Sequence, residues 1–166
     1  MSRIDSSLGL NVPLKVDECE SEFLAQETPM ILNELPTVVL ADDHECVRNR
    51  AIEVLGAACC VVASVDDGYS SVEAAEEFRP DLIILDICMP ALDGIQAARE
   101  IRRRGLSCKI IFLTVQKDPE YVHIANQLGA SYVLKTRMHL DLPVAVKTAL
   151  AEGTFVSPFS AQGVSR

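Results

Sequence analysis

The most informative segment of the chain reads Pro80-Asp81-Leu82-Ile83-Ile84-Leu85-Asp86-Ile87-Cys88-Met89-Pro90-Ala91-Leu92-Asp93-Gly94. Its uninterrupted apolar run, Leu82 to Leu85, is bounded by Pro80 and by a turn-forming cluster, which predicts a strand buried on both faces of a parallel sheet. Asp86 follows at the carboxyl end of that strand. Open α/β sheets bind ligands outside these strand ends, so Asp86 is a candidate reactive group. Taken alone, a turn or helix-capping aspartate explains it equally well.

Three further apolar runs also end in polar side chains. The run from Thr37 to Ala41 is followed by an acid pair, Lys109 to Leu113 by a hydroxyl, and Tyr132 to Leu134 by a lysine. In chain order, the residues at the four strand ends are Asp42-Asp43, Asp86, Thr114 and Lys135. Because the carboxyl ends of parallel strands share one edge of a sheet, we expect these side chains to converge.

This ordered set resembles the response-regulator receiver domain of two-component signalling, from Thr37 to about Gly153. The matching residues are Asp42, Asp43, Asp86, Met89-Pro90, Asp93-Gly94, Thr114, Tyr132 and Lys135. Strands alternating with helical patterns predict an α/β fold with a five-stranded parallel sheet. The resemblance adds that the fold is doubly wound and flavodoxin-like, with strand order 2-1-3-4-5.

Each strand but the last is followed by a predicted helix before the next strand, and a fifth helix closes the domain. We expect Asp42 or Asp43 to cap the first helix, Ser70 or Ser71 to start the second, and Asp118-Pro119 to open the fourth. The third helix is expected over Gly94 to Arg104. The fifth is expected over about Leu140 to Glu152, with an inward face formed by Leu142, Val146 and Leu150.

The chain is long enough for one domain with tails, at 166 residues. Residues 1–36 are predicted to be an acidic, poorly ordered extension, residues 37–153 the receiver domain, and residues 154–166 a tail or truncated linker. Leu113-Thr114-Val115 and the ending from Ala151 to Pro158 resemble the NarL/FixJ branch, whose output domain is a helix-turn-helix DNA-binding domain. Either the receiver stands alone or that output domain is missing from this chain.

Composition excludes several classes of function. A net charge of −9 opposes direct nucleic-acid binding, and the one basic cluster, Arg99 and Arg102 to Arg104, complements a helix dipole. No apolar run is long enough for a membrane span and no signal peptide opens the chain, so we expect a cytoplasmic protein. The six cysteines show no metal-type spacing and are interpreted as reduced thiols, with Cys59, Cys60 and Cys108 in the core.

The acid cluster predicts a bound cation. Three converging carboxylates repel one another by about 4 kcal/mol per close pair at an effective dielectric of 20, and an all-oxygen site suits Mg²⁺. The resemblance implies that Asp43, Asp86 and the backbone carbonyl of Cys88 bind Mg²⁺ directly, while Asp42 acts through water. Asp86 is then the phosphoacceptor, supplied by a histidine kinase or phosphotransfer protein.

The resemblance also assigns the remaining positions. Lys135 holds a phosphoryl oxygen, Thr114 donates its hydroxyl to another, and Thr114 with Tyr132 forms a switch pair. The readout face is the fourth helix, fifth strand and fifth helix, which would support a homodimer. We expect the chain to lose its phosphoryl group slowly by autodephosphorylation and not to act as a turnover enzyme.

Two other interpretations stay open. A haloacid-dehalogenase-type aspartyl-phosphate hydrolase also uses a strand-end aspartate and Mg²⁺, but it favours a second acid two residues on, where this chain has Cys88. A receiver-like interaction module without phosphorylation is disfavoured because all five site positions are filled.

Overall fold

The structure, a computed structural model, describes residues 35–158. Five β-strands alternate with five α-helices in this range. The strands are β1 (Thr37–Ala41), β2 (Cys60–Val65), β3 (Leu82–Leu85), β4 (Lys109–Thr114) and β5 (Ser131–Leu134). The helices are α1 (Glu45–Leu55), α2 (Gly68–Phe78), α3 (Gly94–Arg103), α4 (Pro119–Gln127) and α5 (Met138–Leu150). The N-terminal extension is predicted to be poorly ordered, and its residues up to Glu34 lie outside the described range.

The strands form one parallel sheet in the order β2-β1-β3-β4-β5, which confirms the predicted α/β topology. β3 lies at the centre, hydrogen-bonded to β1 on one side and to β4 on the other. Its four residues are fully buried, as an unbroken apolar run predicts. Asp86 is thereby placed in the middle of the carboxyl edge of the sheet.

Side-chain alternation along the strands divides the core into two layers. In β3, Ile83 and Leu85 pack on the layer beneath α2, α3 and α4, while Leu82 and Ile84 pack on the layer beneath α1 and α5. Successive strand residues point to opposite faces, so one apolar strand serves both layers. Burial of each such side chain stabilises the fold by about 1.5 to 3 kcal/mol.

Aspartates set the start of three helices. Asp67, Asp93 and Asp118 each accept a backbone N–H of the first helical turn, and Pro119 follows Asp118 as predicted. The prediction that α2 starts at Ser70 or Ser71 is wrong, because the cap at Asp67 starts it at Gly68.

The predicted acid cap of α1 is also wrong. The cap residue is His44, which makes no side-chain capping bond. Asp42 Oδ1 instead accepts the backbone N–H of His44 at 2.9 Å, which holds Asp42 at the sheet edge.

Two side chains predicted to be buried are exposed. Leu150 is 40% exposed, because eight residues of α-helix turn it about 80° away from the buried Leu142. Cys60 is exposed because it opens the outermost strand β2. Cys59 and Cys108 are buried as expected, and the five cysteines of residues 35–158 are all free thiols.

After α5 the chain returns along the free edge of β5. Tyr132 donates its N–H to the carbonyl of Phe155 at 2.7 Å and accepts the N–H of Ser157 at 2.8 Å. Val156 lies opposite Tyr132 in an isolated parallel bridge. The predicted domain boundary at Gly153 stays a prediction. Among the helices of residues 35–158, none has the length and apolarity required to cross a bilayer.

Candidate functional site

Asp86 is fixed by its own main chain at the end of β3. Its N–H donates to the carbonyl of Ala41 at 2.8 Å, and the N–H of Gly94 donates to the carbonyl of Ile87 at 2.9 Å. A side chain at Gly94 would collide with the carbonyl of Asp86, so glycine permits this close approach of α3 to the strand end. The carboxylate position therefore depends on both neighbouring segments.

Lys135 joins two acids from different strands. Its Nζ lies 2.8 Å from Asp86 Oδ2 and 2.7 Å from Asp42 Oδ2. The exposed fractions of the three side chains are 12% for Lys135, 3% for Asp86 and 1% for Asp42. The structure thus brings together one ammonium and two carboxylates from the set at the predicted strand ends.

Burial and pairing act in opposite directions on the pKa values here. Burial raises the pKa of Asp86, and the ammonium of Lys135 only partly offsets this effect. Burial lowers the pKa of Lys135, but the carboxylates of Asp42 and Asp86 outweigh it and leave that pKa raised. Asp86 Oδ1 is buried and has no hydrogen-bond partner within residues 35–158. The backbone N–H of Cys88 also acts on the Asp86 carboxyl and lowers its pKa, but to a smaller extent than Lys135.

A second cluster of ligand atoms lies at the end of β1. Atoms of Asp42, Asp43 and His44 lie within 4.8 Å of one another, and His44 Nδ1 is 2.6 Å from Asp43 Oδ1. The sequence reasoning missed His44, although it directly follows the acid pair. The carboxylates of Asp42 and Asp43 supply hard oxygen donors of the kind that a small divalent cation prefers, and Asp86 is not a member of this cluster.

Thr114 and Tyr132 are connected through Gln116. Thr114 is buried, and its Oγ1 accepts the N–H of Gln116 at 3.2 Å. The hydroxyl of the fully buried Tyr132 donates to the carbonyl of Gln116 at 2.9 Å, and burial raises the phenol pKa. The Gln116 amide also contacts Cys88 Sγ at 3.1 Å. No sequence motif singled out Gln116, because its contacts come from the loop geometry.

The basic cluster predicted to serve the helix dipole is also paired with acids. Arg103 and Arg104 both contact Glu100, which lowers the pKa of that carboxyl to about 2. Arg102 donates to the carbonyl of Cys108 at 2.8 Å. These arginines are engaged within the domain rather than arranged as a basic surface.

The family model described as response regulator receiver domain matches residues 38–146. The transcriptional regulatory protein DegU of Brevibacillus brevis is 33% identical over 124 residues, which cover 73% of this chain and 52% of DegU. The nitrate/nitrite response regulator NarL of Escherichia coli K12 is 34% identical over 118 residues, covering 69% of this chain and 55% of NarL.

A solved structure has the same fold. The signal receiver domain of the response regulator NarL from Mycobacterium tuberculosis superposes with a TM-score of 0.60 at 29% identity, covering 69% of this chain and 98% of that domain. The chain spans about half the length of the curated relatives DegU and NarL. The chain belongs to the family of response regulator receiver domains of two-component systems, among relatives of the NarL type.

Proposed function

We propose that this chain is a cytoplasmic phosphoacceptor that takes a phosphoryl group onto Asp86 from a histidine kinase or phosphotransfer protein. The observation that supports it most is the state of the Asp86 carboxylate. One oxygen is held by Lys135, while the other is buried without a protein partner. A buried polar atom without a partner is costly and marks a position where a ligand completes the site.

In the proposed transfer, a carboxylate oxygen of Asp86 forms a bond to phosphorus as the bond between phosphorus and the donor histidine nitrogen breaks. The reaction is mainly a matter of positioning and charge stabilisation. The main-chain bonds to Ala41 and Gly94 fix the backbone of Asp86 and of the following Ile87, and Lys135 fixes the orientation of the Asp86 carboxylate. The Lys135 ammonium is then close enough to pair with a phosphoryl oxygen.

Asp43, Asp86 and the carbonyl of Cys88 would hold Mg²⁺, with Asp42 contributing through water. When bound there, the ion supplies positive charge that offsets the carboxylates and the phosphoryl oxygens. His44 keeps Asp43 in place through its 2.6 Å contact.

Phosphorylation adds about −1.5 to −2 charge and new acceptor oxygens next to Thr114. Thr114 is proposed to turn its hydroxyl toward the phosphoryl group, which changes its contact with Gln116. Because Gln116 also accepts the hydroxyl of Tyr132, the change reaches the segment before α4. The readout surface is formed by α4, β5 and α5, where we propose a homodimer or another protein partner binds.

The relative DegU is named a transcriptional regulatory protein, and NarL is named a nitrate/nitrite response regulator. We propose that this chain likewise acts on transcription. We propose that it does so through protein contacts, because the net charge of −9 of the full chain opposes direct contact with a phosphate backbone.

Incubation with Mg²⁺ and acetyl phosphate, followed by intact mass, tests the proposal. We expect a stable gain of one phosphoryl group in the wild type and none in Asp86→Asn, which keeps the shape but removes the nucleophile. The matched control is Asp81→Asn at the opposite end of β3, where Asp81 bonds to Thr37. Continuous release of phosphate without a stable gain in mass would instead indicate a hydrolase, and an unlabelled wild type that releases no phosphate would indicate an interaction module.

A further inference from the structure

Ser157, in the segment after α5, forms hydrogen bonds with strand β5, which ends immediately before Lys135. Ser157 is buried although it lies seven residues beyond the last residue of α5. Its N–H donates to the carbonyl of Tyr132, and Phe155 donates its N–H to Ser131 Oγ at 3.0 Å. The segment is therefore held to β5 by both main-chain and side-chain bonds.

The side chain of Ser157 closes a chain of hydrogen bonds. Its Oγ accepts the N–H of Leu134 at 3.1 Å and donates to Asp141 Oδ2 at 2.6 Å. Arg137 binds the same carboxylate through Nε at 2.7 Å and Nη2 at 3.1 Å. Leu134, Ser157, Asp141 and Arg137 form what we call the α5 clamp.

The α5 clamp holds the backbone N–H of Leu134, just before Lys135, and the guanidinium of Arg137, two residues after it. Leu134 precedes Lys135, and Arg137 ends the short 3₁₀ helix Lys135–Arg137 that connects β5 to α5. Asp141 is buried, and the bond from Arg137 followed by that from Ser157 keeps its pKa below the ordinary value. Asp141 therefore remains an anion that binds both sides of the clamp at neutral pH.

We propose that Asp141 and Ser157 are positioning residues for Lys135, so that docking of the Phe155–Ser157 segment is coupled to phosphorylation of Asp86. The proposal rests on the proposed function for its consequence, but its geometry concerns the unphosphorylated chain. A lysine side chain has several rotatable bonds, and the placement of its ammonium depends on where its backbone begins. Loss of the clamp frees that backbone and lets the ammonium leave the midpoint between Asp42 and Asp86.

The coupling acts in both directions. If a docked segment holds Lys135 in the position that favours the phosphoryl group, then phosphorylation favours the docked segment by the same factor. Whatever is joined to the chain beyond Pro158 is thereby connected to the state of Asp86. The route differs from the Thr114–Gln116–Tyr132 connection because it uses the backbone of Leu134 and the side chains of the clamp. The two meet at Tyr132, whose carbonyl accepts the N–H of Ser157.

Hydrogen exchange of the unphosphorylated full chain gives the first test. In Ser157→Ala, the amides of residues 134–137 should exchange about fivefold faster than in the wild type, because one or two hydrogen bonds are lost. Thr154→Ala removes a hydroxyl from an exposed residue of the same segment and should leave the exchange unchanged. Ser157→Thr keeps the hydroxyl and should restore slow exchange. Unchanged exchange in Ser157→Ala overturns the proposal, whether or not Asp86 is phosphorylated.

The labelling rate with acetyl phosphate and Mg²⁺ gives the second test. Ser157→Ala should label about fivefold more slowly than the wild type, since a displaced reactive group costs rate. Because Ser157 acts through Lys135, Ser157→Ala should have no further effect in a Lys135→Ala background. An effect that persists there would show a general structural role and overturn the proposal. Where Lys135→Ala labels too slowly to time, the exchange experiment decides.

The two proposals fail in different ways. An unlabelled wild type contradicts the proposed function and leaves the exchange test of the clamp intact. A labelled wild type with equal labelling rates in Ser157→Ala contradicts the clamp alone. Phosphorylation should also slow exchange of the Ser157 amide, and faster exchange on labelling would contradict the predicted sign of the coupling.

Discussion

Replacement of Lys135 by methionine is expected to destabilise the metal-free domain strongly. Lys135 is the ammonium between Asp42 and Asp86, at 2.7 and 2.8 Å. At these distances each attraction amounts to about 6 kcal/mol at an effective dielectric of 20, before the cost of removing the charges from water. Removing one partner of a buried ion pair leaves an uncompensated charge and costs about 3 to 5 kcal/mol.

The expected loss can be converted to a melting temperature. A domain of roughly 120 residues has an unfolding entropy of about 0.25 kcal/mol/K, so a loss of 3 kcal/mol lowers Tm by about 12 °C. Thermal unfolding in the presence of EDTA, followed by far-UV circular dichroism at pH 7, measures this difference. The control is Lys109→Met. In the wild type Lys109 pairs with Glu152, and their side chains are 31% and 77% exposed. Exposed pairs contribute about 0 to 1 kcal/mol, so this control should shift Tm by less than about 4 °C.

The pH dependence follows from the pKa directions. The pKa of Lys135 is raised above 10.5, so its stabilising charge is complete at pH 7 and is lost only as the pH rises through that raised value. The pKa of Asp86 is also raised, so Asp86 becomes protonated as the pH falls and no longer needs the ammonium. The deficit of Lys135→Met should therefore shrink toward acidic pH.

A second variant separates charge from packing. Asp86→Asn in the Lys135→Met background removes one of the uncompensated carboxylates and should recover part of the lost Tm. If Lys135→Met melts within 2 °C of the wild type, or if Asp86→Asn recovers nothing, the buried charges do not depend on Lys135 as argued.

Two further predictions concern the residues around Asp86. Thr114→Ala should still be labelled at Asp86 but should weaken the phosphorylation-dependent self-association measured by sedimentation velocity, because the hydroxyl that contacts Gln116 is gone; association equal to the wild type would exclude this coupling route. Gly94→Ala should destabilise the domain by about 1 to 3 kcal/mol in urea unfolding and slow labelling, because its Cβ collides with the Asp86 carbonyl. An unchanged midpoint and labelling rate would show that the close approach is not required.

The parts of the fold that were predictable from the sequence depend on local patterns. The run Leu82 to Leu85 could be recognised without knowing its neighbours, because a short apolar run bounded by turn-forming residues is typical of a strand buried on both faces. Asp118-Pro119 likewise marks a helix start by its own chemistry. The strand order was available only through the receiver resemblance, since periodicity does not distinguish one order of parallel strands from another.

The wrong predictions have a common physical origin. The start of α2 depends on which of several adjacent polar residues accepts a backbone N–H, and that residue is Asp67. Helix α1 starts after His44, which makes no side-chain capping bond, because Asp42 Oδ1 accepts the N–H of His44 itself. The exposure of Cys60 and Leu150 depends on where an element ends relative to the sheet. In both cases the residue type was compatible with either outcome, and tertiary placement decided between them.

The contacts that the sequence did not reveal join residues far apart in the chain. Ser157 and Asp141 are 16 residues apart, as are Tyr132 and Gln116. A serine in a tail and a glutamine in a loop have no periodicity that indicates a buried partner. The contact of His44 could have been predicted from the sequence, because an imidazole directly after an acid pair is within reach of a carboxylate.

Lys135 takes part in two arrangements that different variants can separate. Its ammonium compensates Asp42 and Asp86, whereas the α5 clamp holds the backbone N–H of Leu134 before it and the side chain of Arg137 after it. Lys135→Met removes the charge and should reduce both stability and labelling. Ser157→Ala keeps the charge and changes only where it is held, so labelling and local exchange should respond more than Tm. If both variants lowered Tm and labelling in the same proportion, positioning would have no role distinct from charge compensation.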